Sequence, residues 1–366
     1  MSAPGRRLTL YFGESDRVGS ASLERTVVDV FAAEGAEVSV VLRGSEGFGA
    51  KHRLRSDRLL TLSDDLPLVA IAAGGAERIE RCGQRILEIA GEGMLTLERV
   101  VPAGPGEGAS GTGESRLTAY LGRRERLGGR PAHLALVDAL HAAGVAGATV
   151  LLGVDGVIRG RRRRARFLSA NADVPLIVVA IGSPGPLREA IASLGPEGEG
   201  LIATQERVRV CKRDGVRLAG PEPDPGPSER PEGLRQTPPG WAWRRLTLFC
   251  SEASEHRGRS LPLELIRRLR QERAAGATAL RGVWGYHGGH LPHGDTFTAL
   301  RRRVPTVITV VDTAERCRRW FGIFDELTEQ TGLLISEPVP VVRQGDLRSA
   351  AAVSGGGGRR SGRPGA

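Results

Sequence analysis

Three stretches decide the fold: RLTLYFGES at residues 7–15, RLTAYLGRR at 116–124 and RLTLFCSEA at 245–253. Each opens the same succession of signals. A helical stretch comes first, then a Gly-x-x-Gly turn (Gly44 and Gly47, Gly153 and Gly156, Gly282 and Gly285). A proline-led strand follows (Pro67, Pro175, Pro305), and a Leu-rich strand carrying a glutamate closes the unit (Glu98, Glu206, Glu337). The period is about a hundred residues, well above the spacing of solenoid or propeller repeats, so each copy is a whole domain.

Within a copy, LTLYF reads as a strand. The segment after it has helical spacing, with Leu23, Val27, Val30 and Phe31 on one side and Gly35 at the C-cap position. The corresponding stripes are Ala132, Leu136, Ala139 and Leu140, then Leu261, Leu265, Arg268 and Leu269. VSVVLRG and ATVLLGV are β-branched strands, and LPLVAIAA, VPLIVVAI and VPTVITVV form the next. The order βαββαβ predicts an α+β chain of three ferredoxin-like units, each a four-stranded antiparallel sheet with two helices on one face. The sheet face left open needs a cover, and tandem copies supply one as an intrachain pseudo-trimer. The boundaries expected are 7–104, 116–213 and 245–343, with a proline-rich spacer over 214–244 and a disordered tail over 344–366.

Composition narrows the function. The net charge of +10 is almost wholly arginine, and aromatics make up only 4% of the 366 residues. Arginine favours phosphates and carboxylates, which admits phosphorylated ligands, while solvated surface faces account for much of the excess and place nucleic acid behind other partners. The four cysteines, Cys82, Cys211, Cys250 and Cys317, form no Cys-x-x-Cys pair, and no apolar run is long enough to span a membrane. The cytoplasm is the expected compartment.

The segment after the first Gly-x-x-Gly, EGFGAKHRLRSDRLL, puts Lys51, Arg53 and Arg58 near Phe48, with Arg43 just before. Arg281 and Tyr286 hold comparable places in the third copy. Cations beside an aromatic suit a phosphate and a stacked base, so these seven are the candidate ligand residues, and an adenine nucleotide is one candidate effector. The second copy carries the densest basic run, Arg161, Arg162, Arg163 and Arg164, which would suit an acidic partner or remain a solvated loop. In the third, His287, His290 and His293 with Asp295 form a candidate set for a divalent metal, set against histidines that merely solvate a loop. No Walker A motif, Gly-x-Ser-x-Gly elbow or His-Glu-x-x-His helix is present, and no histidine recurs in all three copies, so a non-enzymatic protein is expected.

At YFGESDR (11–17), LRGSEGFG (42–49) and LSDDLPLV (62–69) the first copy resembles the uncharacterised PII-like family called domain of unknown function 190. The other copies keep the framework as LLGVDGV and ADVPLIVV, and as LRGVWGY and RRVPTVITVV. The resemblance implies a ferredoxin-like fold in a trimeric arrangement and kinship with signalling proteins that bind small effectors between subunits. It implies a regulator whose loop contacts a protein target, a membrane transporter among the candidates, here as a monomeric chain of three fused domains. The tyrosine-bearing loop motif of nitrogen-regulatory PII proteins is missing, which sets 2-oxoglutarate sensing and uridylylation aside.

Overall fold

The computed structural model describes residues 4–49, 55–56, 65–104, 113–165, 173–221, 243–287, 291–294 and 304–347. In the first module the strand Gly5–Gly13 lies between Pro67–Gly74 and Glu92–Pro102, and Val38–Arg43 pairs with the outer side of Pro67–Gly74, all antiparallel. The second module repeats this with Glu114–Gly122, Gly147–Ile158, Pro175–Gly182 and Ile202–Arg213. The third uses Trp243–Ser251, Ala277–His287, Pro305–Thr313 and Leu333–Pro338.

The helical stripe explains the layer above each sheet. Leu23–Ala33 buries Leu23, Val27, Val28 and Phe31; Ser22 caps it by accepting from the Arg25 N–H, and the chain leaves through Gly35 at φ 73°. In the third module Leu261, Leu265 and Leu269 are buried as expected, but Arg268 turns outward to Glu326 at 2.6 Å and Ile266 takes the inward place. A separate apolar cluster forms under each helical layer. A fourth cluster gathers Val40, Ile71, Tyr120, Ile177, Leu280 and Ile335 from all three modules, so the open sheet faces cover one another.

The Gly-x-x-Gly segments are not turns. Each lets a strand leave its own sheet and join a neighbour's: 46–48 pairs with 277–279, 155–158 with 38–41, and 284–287 with 147–150. The first glycine passes close to the proline that leads the next strand. A Cβ on Gly44 would lie 2.6 Å from Pro67 Cγ, and one on Gly153 would lie 2.9 Å from the Pro175 carbonyl oxygen. The second glycine presses on the neighbour's backbone, where a Cβ on Gly156 or Gly285 would collide with the carbonyl oxygen of Ser39 or Ala148. Glycine is therefore required twice in each crossing.

The closing strands continue the cycle. Val101 and Pro102 pair with Gln205 and Thr204, 209–213 with 333–336, and Val341–Asp346 with 92–96. The C-terminal segment is thus a strand as far as Asp346, with Leu347 fully buried, where a disordered tail was expected from 344. Likewise the first residues of the expected spacer form a hairpin, Val216–Arg217 on Lys212–Arg213, and Pro221 accepts from Ser336 Oγ.

At the centre, the opening arginines meet the closing glutamates. Arg7 binds Glu98 at 2.6 Å and Glu206 at 2.9 Å; Arg116 binds Glu206 at 3.3 Å and Glu337 at 2.5 Å; Arg245 binds Glu337 at 2.8 Å and Glu98 at 2.7 Å. Every guanidinium joins its own module's carboxylate to another's. Burial alone would push the Glu98 carboxyl up, but the Arg245, Arg7 and Arg116 guanidiniums outweigh it and hold it well below the usual carboxylate range. Burial is likewise outweighed at Glu337, which Arg116 and Arg245 hold down. A carboxyl depressed in the folded state stabilises the fold above its unfolded pKa of about 4.3 and loses that contribution as pH falls toward the folded value. Acid denaturation should therefore steepen below about pH 4. Glu98→Gln should cost about 3–5 kcal/mol at neutral pH and flatten the acid slope, as measured by denaturant melts across pH.

Candidate functional site

Two of the strand crossings border a cleft, between a strand end of one module and the sheet edge of another. Between the first and third modules the cleft has a cavity volume of about 110 Å³ and is walled by Tyr11, Phe12, Met94 and Val311, with Thr278 and Gln344 at its polar edge. Asp16 and Glu92 also line it; no Lys or Arg does among the described residues. The Tyr11 hydroxyl is raised above its ordinary range by burial and is hydrogen-bonded to Arg245, so this wall touches the central ion-pair ring. The corresponding cleft between the second and third modules is smaller, about 30 Å³, with Phe249, Cys250, Tyr286, His287 and His293 on its walls. A shallower hollow of about 390 Å³ lies between Gly144–Ala146 and the turn at Arg213 and Asp214, with His141 and His287 at its rim.

The residues singled out from sequence divide between different tasks. Phe48 is only 3% exposed and sits in the core of the third module, opposite Ala277. Tyr286 sits in the core of the second, donating to the Val145 carbonyl at 2.9 Å and meeting His141 edge to face. Val157 does the same in the first. These three are plugs carried into a neighbour by the crossing strand, and two of them, Phe48 and Tyr286, are residues expected to stack on a ligand. Burial raises the Tyr286 phenol, in keeping with a structural hydroxyl. Phe48 and Tyr286 do present an edge to the first and second clefts.

Arg43 and Arg281 are both held in ion pairs. Arg43 is paired with Glu14 at 2.8 Å and Arg281 with Glu252 at 2.9 Å, the same strand-end pair in two modules. Lys51, Arg53 and Arg58 lie outside the described residues. The arginine run is a strand, paired with 155–158 through a two-residue turn in which Arg159 and Gly160 have φ of 51° and 74°. Arg162 holds Asp155 at 2.6 Å and reaches Asp29 of the first module; Arg163 holds Asp173 at 2.7 Å, and Arg164 lies 3.4 Å from Asp155. Three of the four arginines of the run are thus ion-paired inside the chain. His287 stands opposite Gly147 and His293 opposite Gly285, while His290 and Asp295 lie outside the described residues. No group of three potential metal ligands converges among the described residues.

Two features escaped the sequence reading although their signals were in it. Arginine opens all three copies and glutamate closes them, which is the signature of the central ring. The residue one step past each second Gly is bulky and apolar or aromatic, which marks the plug.

A family model, that of domain of unknown function 190 (Uncharacterized ACR), matches residues 5–101, 114–210 and 243–341. Among solved structures, the crystal structure of a protein assigned as a glycine cleavage system transcriptional repressor is similar at 11% identity, over 56% of this chain and 98% of that one, with a TM-score of 0.18. That score carries no argument about function. No helix among the described residues is long and apolar enough to cross a membrane.

If Phe48 is a plug, its loss is felt in stability. Phe48→Ala should lower the unfolding free energy by about 3–5 kcal/mol. Gly49→Ala, whose added Cβ meets nothing within 4 Å, should change it by less than about 0.5 kcal/mol in the same denaturant titration.

Proposed function

From membership of the domain of unknown function 190 family, to which this chain belongs, we propose that it is a PII-like regulatory protein whose three fused modules form a closed pseudo-trimer. A small effector binds between modules and changes the affinity for a protein target, a membrane transporter among the candidates. The observation that supports this best is the cleft between the first and third modules, an apolar slot bordered by hydrogen-bonding groups and built from two modules at once. An adenine nucleotide suits it, with the base in the slot and the phosphates outside. Lys51, Arg53 and Arg58, two to nine residues after Gly49 in the sequence, are the cations proposed to meet such phosphates.

Binding across two modules couples the ligand to the geometry between them, which is the requirement for a regulator: the effector must prefer one arrangement over another. Use of the arginine run as a grip for an acidic partner or nucleic acid finds little support, since most of its charge is already paired. The chain should scatter light as a particle of one chain mass, since its cyclic contacts close within 366 residues; a stable trimer of chains would overturn the closed arrangement. In calorimetry at low salt, at least one of AMP, ADP and ATP should bind, and Lys51→Ala/Arg53→Ala/Arg58→Ala should weaken it by at least ~10-fold without altering the melting temperature. No binding by any of the three would overturn the nucleotide reading.

A further inference from the structure

The three crossing strands end on corresponding rungs, and those rungs differ in how much side chain they carry. In the first–third cleft Gly49 faces Gly276: a Cβ on Gly276 would lie 3.6 Å from Gly49 Cα, and one on Gly49 would meet nothing within 4 Å. In the second–third cleft the same rung pairs His287 with Gly147. Between the first and second modules it pairs Ile158 with Val38, and both are buried. Two glycines, one glycine and none thus form a graded series. The cavity at the first rung holds about 110 Å³ and that at the second about 30 Å³, with a separate hollow of about 390 Å³ on the other side of His287.

A second position differs as well. Gly13 lines the open cleft and Ser251 the narrow one, each at the end of its module's opening strand. The corresponding Gly122 lies under the Arg163 guanidinium, close enough that a Cβ there would fall 2.5 Å from Arg163 Nη1. Arg163 is fixed in that place by Asp173 at 2.7 Å. An ion pair therefore covers the strand end at Gly122.

We infer that the chain carries one working effector site, in the cleft between the first and third modules, and binds one ligand per chain in place of three. The inference rests on the regulatory reading above and sharpens it. The described walls also set the ligand's chemistry. Tyr11, Met94 and Val311 provide apolar contact, whereas Asp16, which accepts from the Gly13 N–H at 2.8 Å, and Glu92 would repel an anion. The group held in the slot is a neutral planar heterocycle, as adenine is, with any phosphate projecting away from these carboxylates. Gln344 places the C-terminal strand in the same wall, so the site is complete only when Val341–Asp346 is docked on 92–96.

The test is stoichiometry. The full chain is titrated with adenosine, AMP, ADP and ATP by calorimetry and native mass spectrometry, alongside Gly49→Trp and, from the opposite wall, Thr309→Trp, with folding of each variant checked by thermal melting. One ligand per chain, weakened at least ~10-fold by either folded variant, is the result expected. Two or three equivalent ligands, or a single ligand indifferent to Gly49→Trp and Thr309→Trp, would overturn the single site while leaving the regulatory reading in place. Failure of all four compounds to bind the unaltered chain would overturn the single adenine site and the nucleotide reading together.

Discussion

Three arginines and three glutamates, buried together, set the terms for everything else in this chain. Taking six charges out of water is costly, and the cost is met only when each guanidinium finds carboxylates at hydrogen-bonding distance. No module can do this alone. Arg7, Arg116 and Arg245 each use a carboxylate of their own sheet and one from the next, so any module isolated from the others would carry an arginine and a glutamate that are only half compensated. The ring is electrically neutral as a whole and in no smaller part that also fulfils every contact.

The apolar architecture has the same logic. A strand that stays within its sheet needs nothing of a neighbour, but each crossing strand carries a side chain into another module's core: Phe48, Val157 or Tyr286. Each module is therefore packed by residues it does not own, and the shared cluster of sheet faces fills the space between. Charge pairing at the centre and strand exchange at the rim run in step around the same cycle, so a slip in one disturbs the other.

Much of this was legible in the chain before any coordinates. The βαββαβ order, the helical stripes and the existence of three units follow from periodicity and from recurrence, because those signals are local. What was not legible is what depends on contact between copies. Gly-x-x-Gly looks like a turn since glycine permits one; only the neighbour's carbonyl oxygen at Gly156 and Gly285 reveals that the glycine serves a strand crossing. Phe48 looked exposed because polar and basic residues follow it, yet strand pairing with 277–279 buries it. The four consecutive arginines suggested a solvated loop, and the two positive-φ residues that fold them into a hairpin are visible only as backbone geometry. The disordered reading of the C-terminus failed for a similar reason: its strand has no partner in its own module and acquires one from the first.

The graded rungs at Gly49, His287 and Ile158 have a bearing on how such a chain can change. In an assembly of identical subunits a substitution is written at every interface at once, so widening or closing a cleft is an all-or-nothing step. Joined in one chain, the three interfaces have separate codons. Ile158 can stand against Val38 at one interface while Gly49 stands against Gly276 at another, and neither choice fixes the other. Covalent linkage here converts a symmetric constraint into independent degrees of freedom, and the unequal rungs are where that freedom has been used.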